Sequence, residues 1–194
     1  MGEKVKLRPL TQFDAPEFSR LAGDYEVAKM LGSIPIHFTT QAAEYKIIEL
    51  EAKVRRNLSF SYAITLDGNN MIGQVALYRQ DEDSLLQLGV WLGRPYWGNG
   101  YGTDAVKALI REAVKYLGAT RISARVFADN ERAKALLAPL GFRALRTARP
   151  CFSMARLQTI MASYLMLEVA DQPWLNEPFL QIILPSEQNQ AIRA

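Results

Sequence analysis

The apolar positions of the chain change period several times, and each change marks an element. Lys4–Leu10 alternates Val5, Leu7 and Pro9 with polar or basic neighbours, which predicts a short first strand. Asp14 followed by Pro16 predicts a helix that Asp14 caps. Thr40 opens a longer helix in which Ala43, Ile47, Leu50 and Val54 recur at helical spacing. Two strand-like runs, from Phe60 and from Met71, flank Asp67-Gly68-Asn69-Asn70, and that turn chemistry predicts a β-hairpin. Leu85–Leu92 is apolar almost throughout, so it is expected to be a strand buried on both faces.

A glycine-rich turn follows, then a helix striped by Val106, Leu109, Ile110, Ala113 and Leu117, with Gly118 where a left-handed cap belongs. Ile122, Ala124 and Val126 share one face of another strand. Asn130 is placed to cap a helix over Glu131–Leu140 that ends at Gly141, with Pro139 loosening its last turn. Two closing strands, Phe142–Arg149 and Ile160–Val169, surround a loop at Pro150–Gln158. Residues 1–170 read as one domain. Residues 171–194 read as a partly packed tail carrying an apolar patch at Phe179–Leu184. A helix between two strands, set between hairpins, predicts an α/β (α+β) domain with one central mixed sheet.

Composition narrows the chemistry. The 194 residues are 49% apolar, enough for one core, and no run approaches the ~18 apolar residues of a membrane span. The opening MGEKVKLRPL lacks the apolar centre of a signal peptide, so the expected location is the cytoplasm and no membrane partner is implied. The single His37 and single Cys151 exclude an intrachain disulfide and the usual four-ligand Cys/His zinc site, so no metal is expected. His37 reads as a partly buried loop histidine and Cys151 as a small packed side chain. A net charge of +3 admits an anionic ligand, but no basic-aromatic stripe argues for nucleic acid.

The chemistry concentrates in Trp97-Gly98-Asn99-Gly100-Tyr101-Gly102-Thr103, between an apolar strand and an amphipathic helix. Glycines there let the backbone approach a ligand, and N–H groups at a helix start bind anions. A Walker A loop needs Lys and then Ser or Thr after its last glycine, whereas Gly102 is followed by Thr103-Asp104. The dinucleotide fingerprint has a different spacing and belongs in a first strand-turn-helix unit.

The segment from Arg94 to Ala105 resembles the coenzyme A pyrophosphate loop of the GNAT N-acetyltransferase superfamily. It looks most like the branch containing the ribosomal-protein serine/alanine N-acetyltransferases. The resemblance spans about residues 5–169. KLRPLTQFDAPEF is similar to that branch's opening strand and helix, LQLGVWL to its cofactor-side strand, and ADNERAKALLAPLGF to its later Asn-initiated helix. It implies a single GNAT-like domain with a splayed mixed sheet flanked by helices. It also implies an acetyl-CoA-dependent N-acetyltransferase that moves acetyl directly to a primary amine, on a protein or peptide N-terminus or a small molecule.

On this resemblance the backbone from Gly98 to Thr103, with Trp97 at its head, binds the pyrophosphate of acetyl-CoA. The backbone of Val90, Trp91 and Leu92 pairs with the pantetheine arm, and Asn130 hydrogen-bonds the pantetheine end while capping its helix. The helices from Asp14 to Asn57 and the loop at Pro150–Gln158 wall the acceptor pocket. Room is left for a homodimer.

Four positions depart from the family's pattern. Trp97 replaces the usual Arg or Gln, Ala133 replaces a Ser, Leu137 replaces the Tyr many members use as general acid, and Gln87 replaces a Glu. A carboxamide takes no proton at neutral pH, so no general base is assigned. Gln87 and Leu137 favour the alternative of a non-catalytic acyl-CoA-binding regulatory domain. Arg143, Arg146, Arg149 and Arg156 would suit an acidic acceptor, but scattered arginines are commonly a solvated face.

Overall fold

The computed structural model describes residues 5–80 and 85–176. Its strands are β1 (Lys6–Pro9), β2 (Ser59–Thr65), β3 (Met71–Gln80), β4 (Leu85–Leu92), β5 (Arg121–Phe127), β6 (Arg143–Ser153) and β7 (Gln158–Glu168). Its helices are α1 (Ala15–Ala22), α2 (Tyr25–Ala28), α3 (Thr40–Arg55), α4 (Tyr101–Leu117) and α5 (Glu131–Leu137). The described strands form one mixed sheet in the order β1-β2-β3-β4-β5-β7-β6. All neighbours are antiparallel except β4 and β5, the pair that the α4 crossover joins.

Alternation along the strands builds a core on each face. Val75, Leu77, Leu86, Leu88 and Ile122 pack with Val106, Leu109 and Ile110 of α4. Met71 and Ala63 pack with Phe18 of α1 and Ala43, Ile47 and Leu50 of α3. Each fully buried Leu or Ile is worth roughly 1.5–3 kcal/mol, so the α4 stripe alone holds that helix to the sheet. Gly118 ends α4 in the left-handed region at φ 62°, as its position predicts. Trp174 is buried at 5% exposure in the same core, and its Nε1 donates to the Leu140 carbonyl at 3.2 Å. The tail patch Phe179–Leu184 lies outside the described residues.

Several expectations are corrected. β4 is not buried on both faces: Leu86, Leu88 and Leu92 are buried, while Gln87, Gly89 and Trp91 are only half-buried. Asp14 stands at the start of α1 without a side-chain cap bond. Its carboxylate is instead taken by the Arg8 guanidinium at 2.8 and 2.6 Å and by the Thr11 N–H at 2.8 Å. α3 does open at Thr40, as expected, and Thr39 caps it, its hydroxyl accepting from the Ala42 N–H at 3.2 Å. Between α1 and α3 lies the short α2, so this stretch holds three helices rather than two. The loop expected at Pro150–Gln158 is mostly strand, with only 154–157 outside β6 and β7. Pro139 stops α5 at Leu137, and the last turn tightens to a 3-10 turn over Ala138–Leu140. His37 is exposed, with φ of 61°.

Candidate active site

The site begins where the sheet comes apart. β4 pairs with β5 only through Leu86↔Ile122, Gln87↔Ser123 and Leu88↔Ala124. From Gly89 onward β4 remains paired with β3, while β5 continues beside β7. The two strands therefore part with backbone groups facing the gap, and unpaired buried backbone calls for a partner. A cavity of about 580 Å³ fills the opening, within the range of small-molecule sites.

The expected cofactor residues divide between this cavity and the turn beyond it. Val90, Trp91 and Asn130 line the cavity, as do Gln87, Ala133 and Leu137. Leu92 does not, and its carbonyl already accepts from the Trp97 Nε1–H at 2.8 Å, which leaves that oxygen one lone pair. Trp97, Gly98, Asn99 and Gly100 form the turn into α4, and Tyr101, Gly102 and Thr103 its first turn, all outside the cavity wall. The Arg132 guanidinium lies 3.7 Å from the centre of the Trp97 ring, a cation–π contact that brings a cation from α5 to the turn.

Backbone conformation in the turn is set by glycine. Gly98 and Gly100 have φ of 77° and 82°, where a side chain is strained. The first backbone bond into α4 runs from the Asp104 N–H to the Gly100 carbonyl at 3.1 Å. The N–H groups before it have no intrahelical acceptor and sit at the positive end of a 17-residue helix. Gly102 is glycine for a different reason. A Cβ there would lie 2.6 Å from Leu136 Cδ1, so its absence lets α4 pack against α5.

Trp91 forms a fixed part of the cavity wall. Its ring stacks on Phe18 with centroids 5.2 Å apart, and its Nε1 donates to Gln74 Oε1 at 3.0 Å. Gln74 in turn donates to the Ser61 hydroxyl at 2.7 Å. Asn130 caps α5 by accepting from the Ala133 N–H at 3.1 Å. The cap uses only Oδ1, so the two Nδ2 protons remain for a ligand.

Other cavity residues were not singled out by the sequence. Residues 30–34, between α2 and α3, line it, as do Lys46, Leu50 and Lys53 from α3, Tyr78 from β3 and Cys151 from β6. Among the described residues, its lining includes no Asp or Glu. The carboxylate beside Lys46 and Lys53 is Glu49, bonded to them at 2.9 and 2.5 Å. The Lys53 bond first, and Lys46 with it, hold its carboxyl below the usual range, which weakens it as a base. Burial, and secondarily the Glu49 charge, push the Tyr78 phenol up to about 12. Arg156 is not part of a solvated face. Its Nε donates to the Lys29 carbonyl at 2.8 Å and its Nη1 to Asp129 at 2.5 Å, tying the β6–β7 turn to the loops beside the cavity.

Residues 4–143 match the family model described as the acetyltransferase (GNAT) domain. The chain is 30% identical over 146 residues to an N-acetyltransferase named p20 of Bacillus licheniformis, covering 73% of this chain and 80% of that one. Its structure is similar to the ribosomal-protein-S5-alanine acetyltransferase of Vibrio fischeri, at a TM-score of 0.72 and 19% identity, covering 89% of this chain and 97% of that chain. It is likewise similar to RimL, a ribosomal L7/L12 α-N-protein acetyltransferase in complex with coenzyme A. That match has a TM-score of 0.75 and 14% identity, covering 88% of this chain and 97% of that one.

Proposed function

The chain belongs to the GNAT acetyltransferase family, with acetyl-CoA as acetyl donor, and from that premise we propose that its acceptor is a weakly basic primary amine such as a peptide α-amine. The observation that carries this reading is the lining of the cavity, which among the described residues includes two lysines and no carboxylate.

An attacking amine must be neutral. A peptide α-amine, with a pKa of ~7.7–8.0, is roughly a tenth to a sixth neutral at pH 7, whereas a lysine ε-amine at ~10.4 is neutral in about one molecule in 2,500. The difference of ~2.5 pKa units is about 3.4 kcal/mol that a base or a desolvated pocket must supply for lysine. Gln87 cannot supply it, and Glu49 is held by Lys46 and Lys53. Lys46 and Lys53 also disfavour an ammonium beside them, which lowers the pKa of an amine in the cavity.

In this reading the turn at Gly98–Thr103 holds the pyrophosphate with backbone N–H groups. The open edge of β4 at Val90, Trp91 and Leu92 pairs with the pantetheine amides, and Asn130 Nδ2 meets their far end. Two names among the similar structures, an S5-alanine and an L7/L12 α-N acetyltransferase, support a protein N-terminus as acceptor.

The test is competition between an Ala-initiated peptide with a free N-terminus and the same peptide N-blocked with one internal lysine, followed by thiol release across pH. The rate on the free N-terminus should climb with pH and level off near that amine's own pKa, without a carboxylate step around pH 5–6. Preferential acetylation of the internal lysine would overturn the assignment.

A further inference from the structure

Tyr78 lies at the point where β4 leaves β5. It pairs in register with Gln87, and its ring lies across Gly89, the first residue of β4 past the last β4–β5 pair. A Cβ on Gly89 would stand 3.1 Å from Tyr78 Cε2, so the missing side chain there makes room for the ring. Tyr78, Gln87, Gly89, Ala124 and Leu137 all line the cavity, and the register with Gln87 and the contact with Gly89 place Tyr78 beside that stretch of β4. The Tyr78 hydroxyl makes no hydrogen bond to another described residue.

Acetyl transfer places a demand here. When the thioester breaks, an electron pair leaves on sulfur, and a donor aimed at it lowers that barrier. Leu137 presents only carbon and is buried at 2% exposure. Gln87 can donate a hydrogen bond but cannot give up a proton and recover it. Lys46 and Lys53 are engaged with Glu49. A tyrosine hydroxyl can do both.

We propose that Tyr78 is a catalytic residue of the acetyl transfer, its hydroxyl donating to the thioester sulfur as the bond to carbon breaks. The amine nitrogen forms the C–N bond, the C–S bond breaks, and the Tyr78 proton moves to sulfur to give the free thiol of coenzyme A. The proton lost by the acylated nitrogen returns to the Tyr78 oxygen, so the enzyme ends as it began. The phenol, held neutral by burial and the Glu49 charge, is protonated throughout the working pH range. This assignment rests on the placement of acetyl-CoA along the open edge of β4.

The test needs no acceptor. In a Cys151→Ala background, which removes the chain's own thiol, coenzyme A is bound and its thiolate is followed by ultraviolet absorbance against pH, with desulfo-coenzyme A as blank. A donor on sulfur stabilises the thiolate, so bound coenzyme A should titrate about one to two pKa units lower than in Tyr78→Phe. Both proteins should bind desulfo-coenzyme A equally. Should Tyr78→Phe fail to fold, the bound thiol of the parent protein must still titrate below free coenzyme A. Equal titration in two proteins that both bind coenzyme A overturns the Tyr78 assignment and leaves the donor site standing. Failure of the parent protein to bind coenzyme A or its desulfo analogue overturns both.

Discussion

The turn at 97–103 and the α3 side of the cavity solve their tasks with different parts of the chain. The turn offers backbone: two glycines with positive φ feed a run of N–H groups into the start of α4. The cavity wall offers side chains, with Lys46, Lys53, Tyr78 and Gln87 contributed by three elements far apart in sequence. A turn built on glycines at positive φ tolerates little substitution there, because its conformation depends on them. A side-chain wall can be altered one residue at a time while the fold persists.

The largest expected effect falls on the turn. Gly100→Val places a β-branched residue at φ 82°, which costs about 1–3 kcal/mol and moves the N–H groups away from the ligand. In the parent protein, acetyl-CoA at a hundred times its Kd should stabilise by ~2.7 kcal/mol. That thermal shift should vanish in the variant, and an unaltered shift would show that the turn does not hold the donor. Gly98→Ala is the milder form. Nothing lies within 4 Å of the added Cβ, so only the φ of 77° opposes it, at roughly 1–2 kcal/mol. Calorimetry should show acetyl-CoA bound about ten-fold more weakly.

The side-chain wall should respond in the opposite manner. Lys46→Gln with Lys53→Gln removes the cations that lower the pKa of a bound amine. The pH midpoint of the rate on a free N-terminal peptide should rise by about half a unit, roughly a three-fold loss at pH 7. Calorimetric affinity for acetyl-CoA should hold, because neither lysine belongs to the turn or to the open edge of β4. A midpoint that stays in place would mean the lysines act only through Glu49.

The same division explains what the sequence could show. The turn was legible because its chemistry is local: glycine spacing, a preceding strand and a following amphipathic helix lie within one stretch. Asn130 was legible for the same reason, as a cap one residue before its helix. Tyr78 was hidden, because only the β3–β4 register brings it across Gly89, and register is not written in either strand alone. The apolar run of β4 misled in a related way. Its half-buried Gln87, Gly89 and Trp91 face a cavity that exists only because β5 diverges after Ala124. Gly102 has a packing reason to be glycine that the sequence did not show, because a Cβ there would meet Leu136 of α5. Arg156 was one of four arginines in the sequence, and only the closure of the β6–β7 turn sets it apart.

The smallest predicted effect concerns that arginine. The Arg156 side chain is 10% exposed and its partner Asp129 is 53% exposed, so the pair is screened and worth about 0.5–1 kcal/mol. The Arg156 hydrogen bond, and then its charge, hold the Asp129 carboxyl below the usual range. A carboxyl lowered by folding contributes stability that is present above its unfolded pKa of ~3.9 and is lost as pH falls through the lower folded value. Asp129→Asn should therefore lower the melting temperature at pH 7 by about 1–4 °C. The gap between the two proteins should close only in strong acid, below the unfolded value. Asn130 follows Asp129 directly, and Arg156 also holds the Lys29 carbonyl beside the 30–34 segment, so the clasp joins the Asn130 end of the cavity to the 30–34 side of its wall. If the substitution also raises the KM for the peptide more than the KM for acetyl-CoA, the clasp serves the wall. A larger rise for acetyl-CoA would instead show that it positions Asn130, and the boundary between the two regions would then lie one element further into the cavity.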